Sequence, residues 1–245
     1  MLSPLPENAH PSRRVHGRRA AFSDAIHAAF PVTIPVLFGY IAIGIPFGLM
    51  LVKAGYPWWL SPLMSLLMYA GAGQYIAVGL FAAGTPLSGM LVAMLAVNIR
   101  HIVYGLSLID RFKAVGRWKP YLVFSLTDET YALLTGVKVP ANIKPGFFYA
   151  GIALLDHSYW IVGSVIGALA GALIPFSFAG IDFALTALFA VLLIDQLKRT
   201  QDALPAAIGV VCAVLATVIL GPKNMLITAL AGSLAVLITL RGKSK

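Results

Sequence analysis

The residues best suited to do chemistry in this chain are ionisable ones set in apolar surroundings. Asn98-Ile99-Arg100-His101 is followed by Tyr104 and Ser107. At helical spacing Arg100, Tyr104 and Ser107 share one face, and Asn98 and His101 share another. A buried arginine needs an anion, for which Asp128, Glu129 and Asp110 are candidates; alternatively Arg100 snorkels to the membrane interface near its segment's end. Leu126-Thr127-Asp128-Glu129-Thr130-Tyr131 adds two adjacent acids and two hydroxyls. Successive helix positions point about 100° apart, so at most one acid readily faces a given pore. Acids in such a setting are the groups a proton-coupled carrier uses, and a structural ion pair with Arg100 serves equally well.

Tyr69-Ala70-Gly71-Ala72-Gly73-Gln74-Tyr75 places two glycines and an amide inside an apolar run. Glycine at this density weakens a continuous helix. Unwound backbone at membrane depth survives only where protein or a wet cavity satisfies it, and the amides of a half-helix start hold a carboxylate. Gln74 then offers its side chain to an amine or a carboxylate; a glycine-lined packing face with Gln74 bonded across helices is the competing reading. Asp156-His157, Asp182 and Asp195-Gln196 are further isolated ionisable sites, to which no role is attached.

Several chemistries lack their residues. The chain has no Gly-x-x-x-x-Gly-Lys-Ser/Thr phosphate loop, no His-Glu-x-x-His and no Gly-x-Ser-x-Gly, and its histidines are scattered. Cys212 is the single cysteine, which rules out an intrachain disulfide and a cysteine metal site. The expectation is a non-enzyme without cofactor or metal.

The elements that must position these groups are membrane helices. Of 245 residues, 59% are hydrophobic and 11% charged, against about 25% charged in a typical soluble domain. Mean hydropathy is +0.87. From Ala54 to Ile99 there are 46 residues without Asp, Glu, Lys or Arg, more than twice the roughly 20 that cross a bilayer. The net charge of +9 sits mostly at the termini and in short loops, so nucleic acid does not explain it. Residues 1–27 form a polar cytoplasmic extension, 28–240 a transmembrane transporter domain and 241–245 a short basic tail. The run from Ala28 to Val52 exceeds the about 7–15 residues of a signal-peptide core and is taken as the first span.

Further apolar segments lie at Trp58–Ala83, Pro86–Ile109, Tyr121–Val137, Phe147–Leu173, Ile181–Leu197, Ala203–Gly221 and Met225–Leu240. The expected fold is an all-α polytopic helix bundle of seven or eight spans. Eight holds if the fourth segment, with Asp128 and Glu129 in its middle, crosses. With eight spans, an N-terminus inside puts eleven Lys and Arg on the cytoplasmic side and six outside, the loop from Arg111 to Lys119 being on the wrong side. Pro31, Pro35 and Pro46 predict a bent or unwound first span. Gly44 and Gly48, and Gly163, Gly167 and Gly171, have the i, i+4 spacing that lets helix backbones touch. An offset of 119 aligns Tyr40, Gly44 and Gly48 with Tyr159, Gly163 and Gly167, the trace of two copies of a three-span unit with broken helices. The copies are inverted if the fourth segment fails to cross and parallel if it crosses.

Taken together and in order, Gly71-Ala72-Gly73-Gln74, the run from Asn98 to Leu108, Leu126 to Tyr131, and Gly180-Ile181-Asp182-Phe183 continuing to Asp195-Gln196 resemble the AzlC family, over residues 25 to 240. The resemblance implies a bacterial inner-membrane permease, the large subunit of a two-component exporter of valine, leucine or isoleucine. Its partner is a small membrane subunit of the AzlD type, and no ATPase is implied. On this reading Gly71, Gly73, Gln74 and Asn98 receive the substrate's zwitterionic end. Asp128 and Glu129, with Arg100 and His101 as partners, serve proton coupling or ion pairing. A passive small-solute channel and a non-transporting scaffold subunit are the alternatives.

Overall fold

The computed structural model describes residues 18–174, 203–221 and 225–242, with isolated positions between 190 and 198. The positions of Asp182, Asp195 and Gln196 lie outside these residues. The protein is all-α: among the described residues there is no strand.

Helix α1 (Arg18–Lys53) is unbroken, although it contains Pro31, Pro35 and Pro46. Of the bent or unwound first span expected, the unwound form does not occur. Side chains also bond to carbonyls of this helix: Thr33 donates to the carbonyl of Phe30 at 2.9 Å and Tyr75 to that of Ile43 at 2.5 Å. Helix α8 (Pro145–Leu173) lies along α1 in backbone contact. A Cβ added at Gly48 would lie 2.2 Å from the Ser164 carbonyl oxygen, and one at Gly167 would lie 2.0 Å from that of Ile45. The two sets of glycines aligned by the repeat therefore face each other. Gly151 meets Ala25, Gly163 meets Tyr40 and Gly171 meets Val52, so the two helices run parallel.

Between them the second and fourth apolar segments are not single spans. The second divides into α2 (Leu60–Leu67) and α3 (Gly71–Ala82), separated at Met68–Ala70, where Tyr69 takes a φ of 39°. Along α2 the partner on α8 moves from Ser164, bonded by Ser61 and Ser65, to His157, bonded to the Ser65 carbonyl. Along α3 the partner on α1 moves from Tyr40 beside Tyr69, through Phe47 against Tyr75, to Tyr56 against Phe81, just past the end of α1. The segment thus enters from the α1 C-terminal end and returns to it. Helix α4 (Leu87–Ser107) then runs the length of the bundle to short α5 (Ile109–Phe112).

The fourth segment mirrors the second. After a 3₁₀ turn at Gly116–Trp118, α6 (Lys119–Phe124) climbs from Phe22 and Phe147 toward His157. Helix α7 (Asp128–Gly136) descends from Asp156, bonded by Thr130, to the cluster of Leu134, Phe112 and Phe148. Two helical hairpins therefore enter from opposite ends and meet half-way. Neither reverses the chain, which is why α1 and α8 are parallel although the fourth segment does not cross. Asp128 and Glu129 correspondingly lie in the first turn of a helix, where the dipole favours acids, and not at a span centre.

Helices α1, α4 and α8 are long and apolar enough to cross a membrane. Leu87, Leu91, Leu95, Ile102 and Leu106 on α4 are exposed, as a lipid-facing helix requires. Helices α9 (Leu204–Leu220) and α10 (Met225–Gly242) pack on each other, with Gly232 beside Cys212, and α10 touches α4. The hairpins also gather cations at one end: Arg18, Arg19, Arg111, Lys113, Arg117, Lys119, Lys138 and Lys144 all fall at the end where α1 begins, and Lys53 at the other.

Candidate functional site

A cavity of about 60 Å³ lies where the two hairpin breaks meet. This exceeds the about 10–15 Å³ that a single water requires, so the cavity admits more than one. One wall is Ala70, Gly71 and Ala72 at the start of α3, and another is Thr127, Asp128 and Glu129 at the start of α7. Two half-helix N-termini thus converge on it. Helix α3 has no side-chain cap, so its first amides have no partner within the helix. Helix α7 is capped by the Thr127 hydroxyl, which accepts from the Thr130 N–H at 3.2 Å. Tyr40 and Ile43 of α1, Tyr69 of the α2–α3 break, Trp160 of α8 and Asn98, Arg100 and His101 of α4 complete the lining.

Of the three anions considered for Arg100, the structure pairs it with Asp128, at 2.7 Å. Asp110 bonds Lys113 at the surface instead. Tyr104 donates to the other Asp128 oxygen at 2.5 Å, stacks on Tyr131 at 4.4 Å and so fixes α4 to α7. Arg100, Tyr104 and Ser107 do share a face, Ser107 donating to the Tyr131 hydroxyl at 3.1 Å. Glu129 accepts from Tyr40 at 2.8 Å. His101 lies half-buried beside Tyr104. Three polar atoms of lining residues are buried without a partner: Oδ1 of Asn98, an acceptor, Nε of Arg100, a donor, and the Tyr69 hydroxyl.

Six of the eight residues singled out from sequence line this cavity: Gly71, Asn98, Arg100, His101, Asp128 and Glu129. Gly73 lies behind, where a Cβ would approach the Asn98 amide nitrogen to 3.0 Å; its lack of a side chain gives Asn98 its place. Gln74 is fully buried, its amide taken up within the protein. Its oxygen accepts from Trp160 Nε1 at 2.8 Å, and its nitrogen donates to Ser65 at 3.2 Å. Gln74 therefore fixes the orientation of a lining indole and does not itself reach the cavity.

Sequence reasoning gave no functional role to Tyr40, Tyr69, Trp160 or the pair Asp156-His157. Asp156 is fully buried, accepts from Thr130 at 2.8 Å and has a second oxygen without a partner. His157 bridges Tyr121 at 3.1 Å and the Ser65 carbonyl at 3.0 Å, with its ring on Tyr69 at 4.1 Å. The available signal for these two was an ionisable pair in the middle of a long apolar segment. Trp160 carried none.

A cavity at mid-height, walled by broken helices and lined by charges of both signs, defines a multi-pass membrane protein with an internal polar site. The AzlC protein family model matches residues 35–174, and the chain belongs to the AzlC family. It is 32% identical over 225 residues to the branched-chain amino acid transport protein AzlC of Bacillus subtilis, covering 91% of this chain and 88% of that one. To an uncharacterized membrane protein of Helicobacter pylori it is 41% identical over 210 residues, 85% and 92% of the respective chains. To the inner membrane protein YgaZ of Escherichia coli it is 33% identical over 177 residues, 69% and 72%. No solved structure matches the chain.

Proposed function

We propose that this protein exports branched-chain amino acids across the bacterial inner membrane by secondary transport coupled to protons, together with a small subunit of the AzlD type. A membrane transport role accords with family membership and with the printed name of the Bacillus subtilis relative. The observation that carries the finer reading is the pairing of unlike groups in one cavity. Arg100 Nε and the α3 amides at Gly71 and Ala72 suit a carboxylate, whereas Asn98 Oδ1 and the Glu129 carboxylate suit an ammonium. A zwitterion satisfies both at once. The aliphatic side chain would lie against Ile43 and the Trp160 ring. Gly71, Gly73 and Asn98 shape this site, with Gln74 acting through Trp160. Arg100, His101, Asp128 and Glu129 supply its charge and coupling. The end bearing eight cations is assigned to the cytoplasm, which brings the Arg111–Lys119 loop to the same side as the start of α1.

The test is counterflow of labelled leucine or valine in liposomes holding this chain with and without the small subunit. Flux with both, and not with either alone, supports the two-component exporter; flux with this chain alone removes the obligate partner. No flux in either, with folded protein, refutes the substrate assignment. Proton coupling through these acids fails if an Asp128→Asn plus Glu129→Gln protein keeps wild-type dependence on the proton gradient.

A further inference from the structure

A continuous file of oxygens runs from the cavity to the buried carboxyl of Asp156. Glu129 Oε2 lies 2.8 Å from the Tyr40 hydroxyl, which lies 2.6 Å from Thr127 Oγ1. Thr127 Oγ1 is 3.2 Å from Thr130 Oγ1, which is 2.8 Å from Asp156 Oδ2. Each contact needs one hydrogen. Three hydroxyls supply one hydrogen fewer than the contacts require. With both acids ionised, Tyr40 donates to Glu129, Thr127 to Thr130 and Thr130 to Asp156, and the 2.6 Å contact between Tyr40 and Thr127 is left with two lone pairs opposed. One carboxyl proton completes the set.

We propose that Glu129 and Asp156 share one proton through Tyr40, Thr127 and Thr130, and that Asp156 is the buried holder of the proton that drives transport. The file has two equivalent arrangements. In one, Glu129 bears the proton and every hydroxyl donates toward Asp156. In the other, Asp156 bears it and every hydroxyl donates toward Glu129. Passing between them breaks an O–H bond at one carboxyl, forms one at the other and hands each hydroxyl proton to its neighbour; no charge is created beyond the move of one proton. The groups facing Asp156 are Tyr40 of α1, Tyr69 of the α2–α3 break, Tyr121 of α6, Glu129 of α7 and Tyr159 of its own helix. None is a cation, so an ionised Asp156 would be an uncompensated buried charge. A substrate ammonium against Glu129 favours that carboxylate ionised and holds the proton at Asp156, which ties substrate occupancy to proton position.

This inference rests on the exporter reading for its consequence in transport, but the proton itself is observable without substrate. Infrared difference spectra of the purified full chain at neutral pH are expected to show a protonated-carboxyl stretch. That band is lost in Asp156→Asn and shifted in Thr130→Val, which cuts the file while keeping the side chain's shape. Absence of the band in the wild type, or its persistence unchanged in Asp156→Asn, overturns the proposal. In liposomes containing the small subunit, Asp156→Asn and Thr130→Val are expected to lose pH-gradient-driven accumulation of labelled leucine about tenfold more than they lose counterflow. Equal loss of both, or accumulation that follows a sodium gradient, overturns it. Failure of all leucine flux in the wild type with the infrared band present refutes the exporter reading alone.

Discussion

Alanine at Gly167 would wedge α1 from α8, and the structure sets the scale. The added Cβ would stand 2.0 Å from the Ile45 carbonyl oxygen and 2.7 Å from its carbon, both backbone atoms that no rotamer change can move. Reaching an ordinary carbon–oxygen contact of about 3.3 Å requires the helices to part by roughly 1 Å. Overpacking of that kind costs about 2–3 kcal/mol, roughly a 30- to 140-fold shift in the unfolding equilibrium. Gly39→Ala on the same α1 meets nothing within 4 Å and is expected to be neutral or to gain up to about 1 kcal/mol from helix propensity. Gly171→Ala falls between, its nearest atom being a Val52 side-chain carbon at 3.3 Å. The assay is SDS-titrated unfolding in mixed micelles followed by tryptophan fluorescence. Because separation admitted by one substitution also makes room for a neighbour, Gly48→Ala plus Gly167→Ala should cost less than the sum of the two. Equal midpoints for Gly167→Ala and Gly39→Ala would refute the reasoning, since the close parallel approach of α1 and α8 is its only premise.

Gln74→Ala and Asn98→Ala should separate. Gln74→Ala leaves Trp160 Nε1 and Ser65 without their buried partner, so it lowers stability by about 1–3 kcal/mol and membrane abundance with it; Asn98→Ala lowers counterflow at normal abundance. A quantitative immunoblot alongside the flux assay checks both. For the Arg100–Asp128 pair, a double-mutant cycle on stability with Arg100→Gln and Asp128→Asn should give a coupling of about 0.5–1 kcal/mol, modest because both side chains are partly exposed. Additive effects would deny the pair. Thr127→Ala removes the cap of α7 and should cost about 1 kcal/mol in SDS unfolding, while Thr127→Ser restores both stability and transport; a serine variant no better than alanine would contradict the capping role.

The charged part of the site was legible because an ionisable residue in an apolar run has few innocent explanations. Arg100, Asp128 and Glu129 stand out by type alone, and the membrane does the selecting. The turns of the hairpins were not legible by the same means. Hydropathy measures length and not direction, so two half-helices that double back have the composition of one span. The fourth segment did carry the signature of a helix start, a threonine cap followed by two acids, but its position in the middle of an apolar stretch disguised it. In the second, the glycines lie just past the break and not in it, because the bend itself is at Tyr69.

The same doubling back explains both anomalies that sequence counting left. A basic loop on the wrong side and a repeat whose sense depended on the fourth segment are each resolved when two segments, not one, fail to cross. What then follows is electrostatic. Hairpins entering from opposite ends each begin their second half-helix at mid-height, so two helix N-termini, positive by their dipoles, face one small cavity. Asp128 and Glu129 at the start of α7 offset that field locally, and Arg100 is already balanced by Asp128. The site is thereby close to neutral overall while remaining strongly polar, so the proposed net-neutral zwitterion would leave no uncompensated charge at membrane depth. A simple ion would upset that balance, whereas the proposed amino acid substrate would preserve it.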